Sequence, residues 1–186
     1  MIRVFVGSND KWADCEPVLE YSIRKHTGTP VEITFMRPAS IGMCETGCTS
    51  FTNTRFAIPE LCNNRGYAIY LDVDMLVLAD LAELWQYRTR GKWAILQDGS
   101  CEVAVIDCAV KMPPISELEK KKKWEIGFPS VRKIPMQWNC EDPTEIHSDT
   151  KLIHFTDLTR QPWDTPERDD AGTRLLAQYQ DEFRGS

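Results

Sequence analysis

No run of about 18 or more apolar residues occurs anywhere in the sequence, so a membrane-spanning helix is not expected. Positive charge is also short: Lys and Arg total 22 against 28 Asp and Glu, for a formal net charge of −6. That balance argues against non-specific binding of nucleic acid. It equally disfavours unaided capture of a bare phosphate, because an acidic protein needs a local cation to reverse the sign of the field around a diphosphate. The opening Met-Ile-Arg-Val-Phe-Val-Gly-Ser-Asn-Asp lacks a basic leader followed by an apolar stretch, and the expectation is a soluble, cytoplasmic protein. There is no internal repeat. Nor is there an even complement of cysteines: the seven are Cys15, Cys44, Cys48, Cys62, Cys101, Cys108 and Cys140. An odd number in mostly apolar contexts predicts reduced, buried thiols. Cys44 and Cys48 form a close pair, but no second pair with zinc-like spacing follows.

What is present suits one ordinary globular domain, at 186 residues with 42% hydrophobic and 27% charged content. Ile2-Arg-Val-Phe-Val6 is an apolar run that stops at Gly7-Ser8-Asn9-Asp10, the pattern of a strand followed by turn and helix-cap chemistry. Trp12, Cys15, Val18, Leu19, Ser22 and Ile23 then recur at helical spacing, with Gly28 and Pro30 as stop signals. Val31-Glu-Ile-Thr-Phe35 is a second strand. Strand, helix and strand in succession make a βαβ unit, hence an α/β fold with a mainly parallel sheet and a ligand crevice at the carboxyl ends of its strands.

Residues 37–52 lack periodicity and are rich in Gly, Ser, Thr and Cys, which predicts a loop. A helix is expected from near Asn53 to about Asn63, kinked at Pro59 or restarting there. Tyr67-Ala-Ile-Tyr-Leu71 is an apolar strand running into Asp72-Val73-Asp74, followed by Met75 to Leu78 and a short helix over Leu81 to Trp85. Further strands are expected at Trp93 to Gln97 and Val103 to Asp107. Beyond Lys123 the chain reads as irregular up to a terminal helix over about Ala171 to Phe183.

An Asp-x-Asp means little by itself: 14 aspartates in this chain produce roughly one such pair by chance. Its context is what matters. Two carboxylates closing a buried strand are costly without a cation or hydrogen-bond donors to compensate. Alternation along an extended chain would turn Asp72 and Asp74 to one side and Val73 into the core. Carboxylate oxygens suit hard octahedral cations, Mg2+ or Mn2+, which leave positions open for substrate phosphates. The alternative is two acids that merely end a strand at the surface.

Arg55-Phe-Ala-Ile-Pro-Glu-Leu61, Ala68-Ile-Tyr-Leu-Asp-Val-Asp74 and Ala82-Glu-Leu-Trp85 together resemble glycosyltransferase family 8 and its bacterial relatives. Lys151-Leu-Ile-His-Phe-Thr-Asp-Leu-Thr-Arg-Gln-Pro-Trp163 is similar to the C-terminal motif of that family, and the likeness spans residues 1 to about 163. The resemblance implies a GT-A, Rossmann-like fold. It makes residues 1–110 a nucleotide-binding half and residues 111–163 the acceptor side with the late metal-binding motif, leaving a terminal helix in 164–186. It further implies that Asp72, Asp74 and His154 ligate Mn2+ or Mg2+ on a UDP-sugar, and that Val6, Gly7, Ser8 and Asp10 meet the uridine. Arg55 and Val73 would support the nucleotide. The family's Gly is Asp157 here and the motif carries one extra residue, so its diphosphate-binding Lys corresponds to Arg160 or Gln161. Arg160 is preferred, because a guanidinium can grip phosphate oxygens bidentately. Asp98, Gln137 and Asn139 fall near the family's reaction centre. Its donor-sugar asparagine has no match near Gly99 to Val103.

The activity so implied is transfer of a sugar from a UDP-sugar to a saccharide, lipid-linked or protein acceptor, with retention of configuration. The metal would stabilise charge on the leaving UDP. Lys120 to Lys123, followed by Trp124, would serve a weak contact with an anionic membrane surface, where each basic residue contributes about 1 kcal/mol. Two other readings compete. A haloacid dehalogenase-like phosphatase also places Asp-x-Asp after an apolar strand, using the first Asp as nucleophile. A non-catalytic nucleotide-sugar-binding domain would share the metal site without turnover.

Overall fold

The computed structural model describes residues 1–43, 51–118, 126–127, 130–165 and 167–185. Lys120 to Lys123, Trp124 and the Cys44 and Cys48 pair lie outside the described residues.

The first strand, β1 (Ile2–Gly7), pairs in parallel with β2 (Val31–Met36) and with β3 (Tyr67–Asp72). Beyond β3 the main sheet continues through β6 (Ala104–Asp107), β5 (Trp93–Leu96) and β7 (Val131–Ile134), in the order β2-β1-β3-β6-β5-β7. Only β6 runs against the others, so β1, β3 and β5 all end on one edge. A second, three-stranded sheet is built from β4 (Met75–Val77), β9 (Leu152–His154) and β8 (Cys140–Glu141), with β9 in the middle.

Each strand divides its side chains between two cores, because alternate residues point to opposite faces. Ile69 and Leu71 of β3 join Val4 and Val6 of β1 beneath α1 (Glu16–His26). Ala68 and Tyr70 join Phe5, Trp93 and Ile106 on the other face, where α2 (Ile58–Leu61) packs through Ile58 and Cys62. Burying each large aliphatic side chain contributes roughly 1.5–3 kcal/mol.

Helix α1 follows a 3-10 turn over Asp10–Cys15 whose first residue is capped by Asn9, its side chain accepting from the Trp12 N–H at 3.2 Å. Pro17 sits in its first turn, where a missing N–H costs nothing. Ser22 faces the sheet rather than solvent: its hydroxyl donates to the Leu19 carbonyl and accepts from the Val77 N–H at 3.1 Å, stitching α1 to β4. The helix expected over 53–63 is a 3-10 turn (Thr54–Ala57) that passes into α2, with Pro59 in the first turn of the new piece. The remaining helices are α3 (Leu81–Leu84), capped by Asp80, α4 (Ile115–Leu118) and the terminal α5 (Ala171–Gly185). Helix α5 lies on α1, with Tyr179 edge-on to Tyr21 and stacked on His26.

The stretch read as irregular beyond residue 123 holds β7, β8 and β9. These strands have two to four residues each and are defined by partners far away in sequence, so no local periodicity marks them.

Candidate metal and nucleotide site

Asp72 is the last residue of β3, and its register partner in β1 is Gly7. The chain then bends, with the Val73 N–H donating to the Gly7 carbonyl at 3.0 Å, before β4 begins at Met75. Asp74 therefore sits in the bend between two strands. Its placement beside Asp72 follows the alternation that carries on through this bend, with Val73 in the same core cluster as Leu71 and Met75, and the pairing of β4 with β9 sets Met75 opposite His154. The Phe155 N–H closes the arrangement by donating to the Asp74 carbonyl at 2.9 Å. Val73 is buried in the core beneath α1.

The result is one buried cluster: ligand atoms of Asp72, Asp74 and His154 all lie within 4.8 Å of one another. Nε2 of His154 is 3.2 Å from Oδ1 of Asp74. That Oδ1 is shut off from solvent and accepts no hydrogen bond of good geometry. A buried carboxylate oxygen left in this state is costly, and a divalent cation would satisfy it. Two carboxylates and one imidazole are a donor set for a divalent cation.

Asp72 is held from the opposite side. Tyr70, two residues earlier on the same face of β3, donates its hydroxyl to Asp72 Oδ1 at 2.5 Å. Arg55 reaches Asp72 through Nη2, 3.1 Å from Oδ1, and its guanidinium lies over the Tyr70 ring at 4.5 Å. Its Nε donates to the Thr52 carbonyl. Arg55 is itself 1% exposed, so the ion pair stands in a low-dielectric setting. Burial raises the Asp72 carboxyl above the usual range, the Arg55 charge opposing it and the Asp74 charge adding to it.

For His154, burial is the largest influence and disfavours the charged ring. It is outweighed by the adjacent Asp74 carboxylate, with Asp72 and Glu102 adding, and the ring is raised to about 9. Behind it, Nδ1 of His154 lies 2.9 Å from Oδ1 of Asn139, whose Nδ2 donates to Glu141 Oε1 at 3.0 Å.

The other expected site residues are placed as follows. Val6 is in the core, and Gly7 has no room for a side chain, since a Cβ there would meet the Tyr70 hydroxyl at 2.1 Å. Ser8 is buried and donates to Glu16 Oε1 at 2.6 Å. The exposed Asp10 pairs with Arg37, which also bonds Glu16. Asp98 is exposed just past β5 and its Oδ1 accepts from the Ser100 N–H. Gln137 donates to Asp149 at 3.3 Å, away from the cluster that Asn139 joins.

Arg160 is exposed, whereas Gln161 is fully buried and donates to the Phe155 carbonyl at 3.0 Å and to Asp74 Oδ2 at 3.5 Å. Of the two candidates offered by the extra residue in the motif, Gln161 is the one that touches the cluster. The loop that presents it is organised by Asp142, which accepts from the Thr156 and Asp157 N–H groups and pairs with Arg168. Glu141 carried no sequence motif, and Tyr70, though inside the Ala68 to Asp74 stretch, was given no role there; the two-residue alternation of β3 that joins Tyr70 to Asp72 was a usable signal.

No family model matches the chain. Protein CDI of Arabidopsis thaliana is 36% identical over 90 residues, which are 44% of this chain and 35% of that protein. The match thus spans about a third of the length of the curated relative. Among solved structures, an active-site mutant of LgtC superposes with a TM-score of 0.66 at 11% identity, covering 97% of this chain and 96% of that one. The galactosyltransferase LgtC in complex with donor and acceptor sugar analogues gives 0.63 at 11%, covering 96% and 95%. The glycosyltransferase GlyE of Streptococcus pneumoniae TIGR4 gives 0.66 at 14%, covering 96% of this chain and 60% of that one. Likeness at this identity is likeness of architecture, and the chain has the GT-A fold of these glycosyltransferases.

Proposed function

We propose that this protein is a divalent-metal-dependent glycosyltransferase that takes a sugar from a UDP-sugar, with residues 1–110 binding the nucleotide and residues 111–163 forming the acceptor side. The observation that carries this reading is the convergence of Asp72, Asp74 and His154 at the carboxyl edge of a sheet of this fold, where open α/β sheets bind ligands. LgtC was solved with donor and acceptor sugar analogues, and this chain shares its architecture.

Asp72, Asp74 and His154 would hold Mn2+ or Mg2+, which when bound offsets charge on the departing diphosphate. Arg55 and Tyr70 fix the Asp72 carboxylate, so that one oxygen is committed to protein donors. Asn139 fixes the His154 ring, a positioning role, while Gln161 holds Asp74 from the loop side. Val6 to Asp10 would line the uridine pocket, with Ser8 anchored by Glu16. Arg160, exposed in its turn, would reach the diphosphate. Asp98 and Gln137 would serve the acceptor side, and the family likeness implies retention of configuration.

The phosphatase alternative needs Asp72 as a free nucleophile on the first strand of the chain. Here it lies on the third strand with Arg55 and Tyr70 both on Oδ1. A screen of UDP-sugars with Mn2+, reading UDP release with and without saccharide acceptors, tests turnover. Release abolished by EDTA supports the enzyme; metal-dependent UDP binding with no release from any donor would favour a non-catalytic nucleotide-sugar-binding domain.

A further inference from the structure

On the face of the main sheet that carries α2, two free cysteines meet. Cys62 caps the end of α2 and Cys108 follows the last residue of β6; the two side chains lie in one buried cluster, near enough for each thiol to influence the other's ionisation. Both are buried, Cys62 at 6% and Cys108 at 0% exposure. The Arg3 guanidinium stands beside them, its Nη2 3.9 Å from the Cys108 sulfur while donating to the Tyr67 and Arg65 carbonyls. Cys62 also lines a groove of about 510 Å3, together with Arg3, Glu32, Thr34, Met36 and Leu61. Cys62 is thus the member of the pair that lines the groove, whereas Cys108 is fully buried and does not.

We propose that Cys62 and Cys108 form a peroxide-sensitive dithiol site, in which Cys62 is the attacking thiolate and Cys108 the resolving thiol. The chemistry follows from the arrangement. The neighbouring Cys108 thiol and the Arg3 charge favour the thiolate at Cys62 over the cost of burial, bringing it down to about 7. The neighbouring Cys62, with burial, pushes Cys108 up, so it keeps its proton until Cys62 has reacted. Cys62 sulfur attacks hydrogen peroxide: an S–O bond forms, the O–O bond breaks, hydroxide leaves, and Cys62 is oxidised to the sulfenic acid. The hydroxide takes the Cys108 proton. Cys108 sulfur then attacks the Cys62 sulfur, forming the S–S bond and displacing a second hydroxide that is protonated to water. Both sulfurs are oxidised, the peroxide is reduced to two waters, and the end of α2 is tied to the end of β6. Helix α2, which Cys62 caps, follows directly on the turn that carries Arg55.

The test uses the intact protein treated with hydrogen peroxide at pH 7, remaining thiols blocked with iodoacetamide, and peptides read by mass spectrometry. The expected product is a peptide pair joined through Cys62 and Cys108 and released by dithiothreitol. Before oxidation, Cys62 should react with iodoacetamide about tenfold faster than Cys140, whose thiol burial pushes up. In Cys108→Ser, Cys62 should stop at a sulfenic acid that dimedone traps; in Cys62→Ser, Cys108 should stay unmodified. Recovery of Cys62 as the free thiol after peroxide, or its linkage to any other cysteine, would overturn the proposal, and neither readout depends on a variant folding.

Discussion

Oδ1 of Asn139 lies 2.9 Å from Nδ1 of His154, and the Asn139 amide is oriented by its own bond to Glu141. An amide oxygen only accepts, so the hydrogen of the ring belongs on Nδ1 and Nε2 is left to face Asp74. Asn139→Ala should therefore weaken binding of Mn2+ by about 10- to 100-fold with Asp72 and Asp74 intact. Calorimetric titration of Mn2+ into both proteins measures it, and equal affinities would remove Asn139 from the site.

The His154 ring, raised to about 9, gives a pH signature. A base whose folded value exceeds its unfolded value stabilises fully below about 6.5 and loses that stabilisation as pH rises through 9. The metal-free protein should lose on the order of 3 kcal/mol between those limits from this group. Metal binding must expel the same proton, so affinity should rise with pH up to about 9. Urea unfolding at pH 6.5 and 9.5, and proton release on metal addition in buffers of differing ionisation enthalpy, check both signs.

Removing Arg55 strands a buried carboxylate. Arg55→Met should destabilise by about 3–5 kcal/mol. Adding Asp72→Asn removes the uncompensated charge, so the double variant should recover part of the loss. Chemical denaturation of the three proteins closes the cycle; additive effects would mean that the pair is not coupled.

Gly7 is fixed by space: a Cβ would press on the Tyr70 hydroxyl and on Phe51, both buried. Gly7→Ala should cost about 1–3 kcal/mol. Since Tyr70 must yield its bond to Asp72, metal binding should fall with it. Thermal unfolding and Mn2+ titration on the same preparation report the two effects.

The sequence showed most of the first half of this architecture, because β1, α1, β2 and β3 each have enough residues for a period to appear. Asp72 was legible as the end of β3, and Arg55 was reached through the family likeness. The strand β9 was not, since its three residues are defined by β4 and β8 rather than by their own pattern. His154 was reached through motif likeness alone. Alternation was the usable signal for the meeting of Asp72 and Asp74: Val73 joins Ile69, Leu71, Met75 and Val77 in one core cluster, and the two acids fall on the other side. The choice between Arg160 and Gln161 turned on a loop shaped by Asp142 and Arg168, residues that no spacing connects to it.

The central claim is that Asp72, Asp74 and His154 hold a cation that carries a uridine diphosphate. Titration of UDP by calorimetry in Mn2+ and in EDTA, for the natural protein and for Asp72→Ala with Asp74→Ala, tests it most directly. Binding that appears only with Mn2+ and vanishes in the double variant is the predicted result; UDP binding that is unchanged by EDTA, or absent under every condition, would contradict it.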